Sequence, residues 1–340
     1  MQSYQLKNTR FIASSEWCAQ SVLPSDSILL QRTPFNYGSW QDFFTACVDL
    51  KNQIATTEWV FVHAAWDPVK LSNQDLQLRR QELQAIFLQS KICILSAQAQ
   101  HFYDNIPGCV YFPFFLAVNY HTLEFRPRSG RIGCLNRRNA SHRILLMHNL
   151  LEQNLIDSTR DVYSVSFTCL HTGTFNDVDD HMQTKGINQA QHKWPTQIAT
   201  HPDNFLNDYS INHAAWHTGI AIITETEPNE YTIVCEKTGK GILSKSCFSV
   251  YMGEVGYRVL EDLGFEPRFF SEHAEGSNIQ PLLDICKNIT TESQALEYRQ
   301  LHMDKINHNF DWFAYESGEL DSRPWWARYK PKLSQTLDSL

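Results

Sequence analysis

Residues 247–252, Cys-Phe-Ser-Val-Tyr-Met, restrict the fold more than any other stretch of this chain. The run is short, apolar almost throughout and stopped by Gly253, which predicts a strand buried on both faces. On its N-terminal side residues 232–235 are apolar and partly β-branched, and residues 238–246 predict a helix with Ile242 and Leu243 turned inward. On its C-terminal side a second helix is predicted over 257–263, with Gly264 in the C′ position that favours a left-handed residue. Helix, strand, glycine turn and helix in this order belong to a doubly wound α/β layer. In such sheets ligands sit at the carboxyl ends of strands, close to helix N-termini. The charged pair Glu236-Lys237 falls where the first of these helices begins.

The remaining chain reads in the same alternation. Strands are predicted over 10–17 and 27–31, followed by a helix from the N-cap Ser39 to Ile54, with Trp40, Phe43, Phe44, Cys47 and Leu50 recurring at helical spacing. A strand over 59–65 leads to a polar helix capped by Asn73 and running to Ser90, with Leu76, Leu83, Ile86 and Phe87 inward; strands over 91–96 and 108–112 follow. Residues 126–130, basic and carrying Pro127 and Gly130, read as a linker. Beyond it come a strand over 131–136, a helix from 141 through 156 with Ile144, Leu145, Met147, His148, Leu151 and Leu155 on or near its buried side, and strands over 162–167 and 216–226. Residues 168–212 are polar and aperiodic, which suits either an acceptor-facing insertion or short helices without a clear signal. Helices are expected over 279–289 and 291–313, the second with Leu296, Leu301, Ile306 and Phe310 inward. Trp325-Trp326 and a basic tail at 328–332 close the sequence.

At 340 residues the chain exceeds a usual single core, and two α/β domains are expected. The boundaries expected are 1–128, 129–313 and a tail over 314–340. A formal charge of −8 argues against general nucleic-acid binding, which needs a basic field, while leaving room for a local basic pocket. Nine scattered cysteines without Cys-x-x-Cys spacing argue against a zinc or disulfide framework and read as small buried hydrophobes. The N-terminus lacks the apolar core of a signal peptide, and no apolar run reaches the length of a membrane span. A soluble, cytoplasmic protein is expected, with peripheral membrane attachment still open.

The stretch Cys235-Glu-Lys-Thr-Gly-Lys-Gly-Ile, then an apolar strand, Gly-x-x-Gly and Leu-Glu-Asp-Leu-Gly-Phe265, resembles the C-terminal half of glycosyltransferases of the GT-B fold. The α1,3-fucosyltransferases carry a similar Thr-Glu-Lys motif, with Cys235 here in place of the usual Thr and Gly239 where a large residue is common. A second stretch is similar to the opening of their second domain: a strand, Leu135-Asn-Arg-Arg138, a helix carrying His142-Arg143, and another strand. The resemblance implies two Rossmann-like domains facing a cleft, with C-terminal helices crossing back to the first. It implies ribose contact for Glu236 and diphosphate contact for Lys237, and the donor-binding set becomes Glu236, Lys237, Thr238, Arg137, Arg138 and Arg143. A glycosyl diphosphate leaves as a dianion that Lys, Arg and helix-end amides can meet without a metal. As charged residues at a helix start, Glu236 and Lys237 are expected to be dispensable for folding.

No cofactor is expected beyond the nucleotide sugar as substrate, and the acceptor expected is a glycan or another hydroxyl compound. Asp177, Asp179 and Asp180 are the nearest approach to a metal-binding Asp-x-Asp and read as a solvated loop. Glu16, at the end of the first predicted strand, and Asp67, just after the strand over 59–65, are the candidates for a catalytic base; His63, inside an apolar strand, is a weaker one. Gly-x-Gly-x-x-Gly, the P-loop and Gly-x-Ser-x-Gly are all absent, which removes the dehydrogenase, kinase and α/β-hydrolase readings. A two-lobed binding protein for a nucleotide or sugar, without catalysis, is the alternative.

Overall fold

The computed structural model describes residues 2–3, 26–31, 39–51, 57–64, 71–117, 125, 127–136, 140–157, 159–164, 211, 214–313 and 320–339. The chain divides into two compact units. One comprises Met1–Asn119, Asp262–Gly264 and Ala314–Leu340; the other comprises Tyr120–Glu261 and Phe265–Phe313. The division falls ahead of residues 126–130.

The first unit is built on a parallel sheet of β1 (Gln2–Ser3), β2 (Ser27–Gln31), β3 (Trp59–His63), β4 (Lys91–Ser96) and β5 (Cys109–Tyr111), in the order β1-β2-β3-β4-β5. Between the strands run α1 (Trp40–Leu50) and α2 (Asn73–Ile86), and the short α3 (Phe114–Ala117) follows β5. Alternate strand residues Ile28, Leu30, Val60, Val62, Ile92 and Ile94 join Trp40, Phe43, Phe44 and Cys47 of α1 and Leu76 and Leu83 of α2 in one buried cluster. Ser39 caps α1 as expected, in a reciprocal box with Asp42, and the helix closes at Leu50 rather than Ile54. The cap of α2 is Ser72, one residue before the expected Asn73, because the Ser72 hydroxyl accepts the Asp75 amide while the Asp75 carboxylate accepts the Ser72 amide. That helix ends at Ile86, short of Ser90. The strand expected over 10–17 lies outside the described residues.

The stretch expected as a tail forms a helix, Pro324–Asp338. Its Trp325, Trp326, Tyr329 and Leu333 are buried at helical spacing, and the Tyr329 hydroxyl donates to the Tyr111 carbonyl of β5. The basic residues at 328–332 were the misleading signal: Arg328 and Lys330 lie on the outer face of this helix.

The second unit holds β6 (Ile132–Leu135), α4 (Ser141–Glu152), β7 (Val162–Ser164), β8 (Ile220–Thr224), α5 (Glu236–Leu243), β9 (Cys247–Tyr251), α6 (Glu254–Asp262), α7 (Gln280–Asn288), α8 (Glu292–Leu301) and α9 (Met303–Phe313). Its parallel sheet has the order β7-β6-β8-β9. The chain steps from β6 outward to β7, then returns to the opposite side of β6 for β8, so β6 and β8 form a topological switch point. All five residues of β9 are buried, as its apolar run requires. Gly264 has φ 95° and the Phe265 amide donates to the Leu260 carbonyl, the left-handed helix stop expected there. Gly133 in β6 is needed for close approach: a methyl group on it would come within 2.1 Å of the Ala215 carbonyl oxygen.

A buried ion pair anchors the start of this sheet. Arg131 donates to Asp161 at 2.7 Å, both side chains being essentially inaccessible, and also donates to the Cys286 and Ile289 carbonyls at the end of α7. Arg128, in the expected linker, donates to the Lys245 and Ser244 carbonyls beyond α5, which fastens that stretch to the second unit.

Residues 232–235, apolar and partly β-branched, are buried and lead into α5. The single helix expected over 291–313 is two, broken at His302 without Pro or Gly, and Leu301 at the break is 81% exposed rather than inward. Along α4, Ile144, Leu146, Met147 and Leu150 are fully buried, and Leu145 and Leu151, with Leu155 beyond the helix end, are partly buried against the same core. No described helix is long and apolar enough to cross a membrane.

Candidate functional site

At the switch point, Asn136 follows β6 and Glu225 follows β8. The Thr224 hydroxyl donates to Asn136 Oδ1 at 2.6 Å, which ties the carboxyl ends of the two strands together. Helix α4 starts above this tie. His142 Nε2 donates to the Glu225 carbonyl at 3.0 Å, and the Arg143 guanidinium donates to the Thr224 and Glu225 carbonyls at 3.2 and 2.9 Å. These three bonds fix the Glu225 main chain between β8 and the start of α4.

The Glu225 side chain is fully inaccessible. Its Oε1 accepts the Cys235 amide at 3.1 Å and the Thr238 hydroxyl, both from the beginning of α5. Cys235 is the N-cap residue and provides no side-chain cap of its own; its main-chain amide is taken up by the Glu225 carboxylate. Its Oε2 lacks a hydrogen-bond donor and faces Lys237 Nζ at 3.8 Å. Lys237 Nζ also donates to Cys235 Sγ at 2.9 Å.

Electrostatics follow from this packing. Burial by itself would lower the Lys237 ammonium; its negative surroundings, the Glu236 and Glu225 carboxylates among them, outweigh burial and the repulsion of Arg143, and hold it above its ordinary value. Burial by itself would raise the Glu236 carboxyl; Lys237 and Lys240 outweigh it and hold it below the ordinary range. Cys235 is pushed well up, first by burial and then by Glu225 and Glu236, which keeps it a thiol. Every described cysteine is buried with a free thiol.

The expected residues fall out as follows. Glu236 and Lys237 stand together in the first turn of α5, at the carboxyl end of β8. Thr238 adjoins them, fully buried, with its hydroxyl spent on Glu225. Arg143 reaches the same strand end but is buried, with its guanidinium committed to main-chain carbonyls. Arg137, Arg138, Glu16, Asp67 and Asp177, Asp179 and Asp180 lie outside the described residues. His63 closes β3 in the first unit, where burial holds its imidazole well below the ordinary value. Among the described residues no group of three His, Cys, Asp or Glu could hold a metal ion.

Lys237 differs from the expected dispensable surface charge: its side chain is 19% exposed and it is the counter-charge of a buried carboxylate. Glu225 and Asn136 were missed by sequence reasoning. The available signal was one carboxylate directly after the five-residue apolar strand Ile220–Thr224, hidden because that strand was drawn through to 226. No protein-family model matches the chain, and no curated protein matches it.

Proposed function

We propose that this chain is a glycosyltransferase of the GT-B type, moving a sugar from a nucleotide-sugar donor to a glycan or another hydroxyl acceptor, without a metal. The observation that carries the reading is the position of Glu236 and Lys237. They open a helix at the carboxyl ends of β6 and β8, the switch point where doubly wound sheets bind nucleotides. An ammonium and a helix N-terminus together suit a diphosphate. In this reading Glu236 accepts the donor ribose hydroxyls, and Lys237 meets the diphosphate as the glycosidic bond breaks. The acceptor oxygen attacks the anomeric carbon and its proton passes to a carboxylate, for which Glu16 and Asp67 remain the candidates.

Slow hydrolysis of the donor without acceptor separates a transferase from a binding protein. A panel of nucleotide sugars incubated with the full chain should show hydrolysis of at least one. Glu236→Ala should then weaken donor binding with turnover largely kept, because a ribose hydrogen bond is similar in ground and transition states. Lys237→Ala, assayed where the variant is still folded, should depress turnover because the leaving charge develops in the transition state. Hydrolysis of no donor, or full activity in both variants, would reject the reading.

A further inference from the structure

The start of α5 already contains an anion. Glu225 Oε1 takes the amide of the N-cap residue and the Thr238 hydroxyl, bonds of the kind a phosphate oxygen would accept at a helix N-terminus. Its Oε2 is left without a donor, 3.8 Å from Lys237 Nζ, which is beyond hydrogen-bond length. The Glu225 main chain is held by His142 and Arg143, which both donate to its carbonyl, so the carboxylate stays in place. Lys237, by contrast, is the partly exposed member of the pair on a flexible stem.

We propose that Glu225 is a built-in competitor for the ligand's phosphate. Its carboxylate fills the N-terminal end of α5 and shares Lys237, so a bound diphosphate is held less tightly and leaves sooner than the cations alone would dictate. The inference rests on the nucleotide-sugar reading above. It gives the buried carboxylate a purpose in turnover: the product nucleoside diphosphate carries the full leaving charge, and product release limits many transferring enzymes. Glu225 acts here through Lys237 and is a positioning residue.

The test uses the full chain and three probes: inorganic pyrophosphate, whichever of UDP, GDP, ADP and CDP binds the wild type, and the matching uncharged nucleoside. Glu225→Gln should tighten diphosphate binding by about tenfold or more, as expected for deleting one like charge a few ångströms from an anion, while nucleoside affinity stays the same and the melting temperature falls. Glu225→Asp, which keeps the charge, should leave diphosphate affinity at the wild-type value. If Glu225→Gln does not fold, Lys237→Arg replaces it, since the guanidinium fork can serve two anions at once and should also tighten the diphosphate. A folded Glu225→Gln with unchanged or weaker diphosphate affinity would make Glu225 purely structural and overturn the inference. So would an equal gain for the nucleoside, equal tightening by Glu225→Asp, or, in the replacement arm, no gain from Lys237→Arg. A wild type that binds no diphosphate rejects the nucleotide-sugar reading and this inference with it; binding without the gain rejects the inference alone.

Discussion

Replacing Lys237 with Met removes a charge while keeping most of the side-chain volume, and it strands a carboxylate that has no access to water. Lys237 Nζ and Glu225 Oε2 are 3.8 Å apart, and Lys237 is 19% exposed. At an effective dielectric of about 20 that separation corresponds to about 4 kcal/mol of attraction. Glu225 retains the Cys235 amide and the Thr238 hydroxyl, which offsets part of the loss. A destabilisation of about 2–4 kcal/mol is expected, near the range for breaking a buried pair from one side. Urea unfolding followed by tryptophan fluorescence reads the loss, with the two units fitted as separate transitions because a single two-state fit is unsafe for such a chain. Lys237→Met combined with Glu225→Gln should recover part of the stability, since no uncompensated charge then remains; the double-mutant cycle gives the pair its own coupling energy. A Lys237→Met change within about 0.5 kcal/mol of wild type, as for a solvated surface residue, would refute the reasoning.

Arg131→Met should destabilise the second unit by about 3–5 kcal/mol, because Asp161 would be left buried and charged; urea unfolding measures it, and a loss under 1 kcal/mol would contradict the account. Asp75→Asn tests the α2 cap through pH. Hydrogen bonds from the Ser72 hydroxyl and amide hold the Asp75 carboxyl below its ordinary 3.8; a depressed folded-state value means the stabilisation is fully present above the unfolded value and lost as pH falls through the folded one. The melting-temperature deficit of the variant should therefore be largest at neutral pH and shrink in acid, whereas a deficit constant from pH 7 to pH 3 would exclude the carboxylate as its source. Donor turnover should survive EDTA; abolition by chelator with recovery on adding manganese would move the chemistry toward Asp177, Asp179 and Asp180.

Strand identity was legible because a parallel strand buried on both faces must be apolar at nearly every position, and residues 59–63, 91–96 and 247–251 meet that condition without reference to anything distant. Helix starts were legible where the cap is local, as at Ser39, and displaced by one residue at Ser72, where two polar residues in a row compete for the position. The break at His302 was not legible, because no residue there disfavours a helix and the interruption comes from how two faces are buried. The same limit applied to the site. Glu236 and Lys237 stood out through their neighbours in sequence, whereas Asn136 and Thr224 are 88 residues apart and meet only through the strand order β7-β6-β8-β9. Glu225 was hidden by a different cause: a carboxylate after a strand reads as solvated until the helix that buries it is in place.

The central claim is that the switch point of the second unit holds a nucleotide diphosphate. Hydrogen exchange of the full chain, with and without saturating amounts of the nucleoside diphosphate that binds it, tests this most directly. The account predicts added protection concentrated in residues 235–240 and at the start of α4, reduced in Glu236→Ala at matched ligand concentration. Protection confined to the first unit, or none from any of UDP, GDP, ADP and CDP, would contradict it.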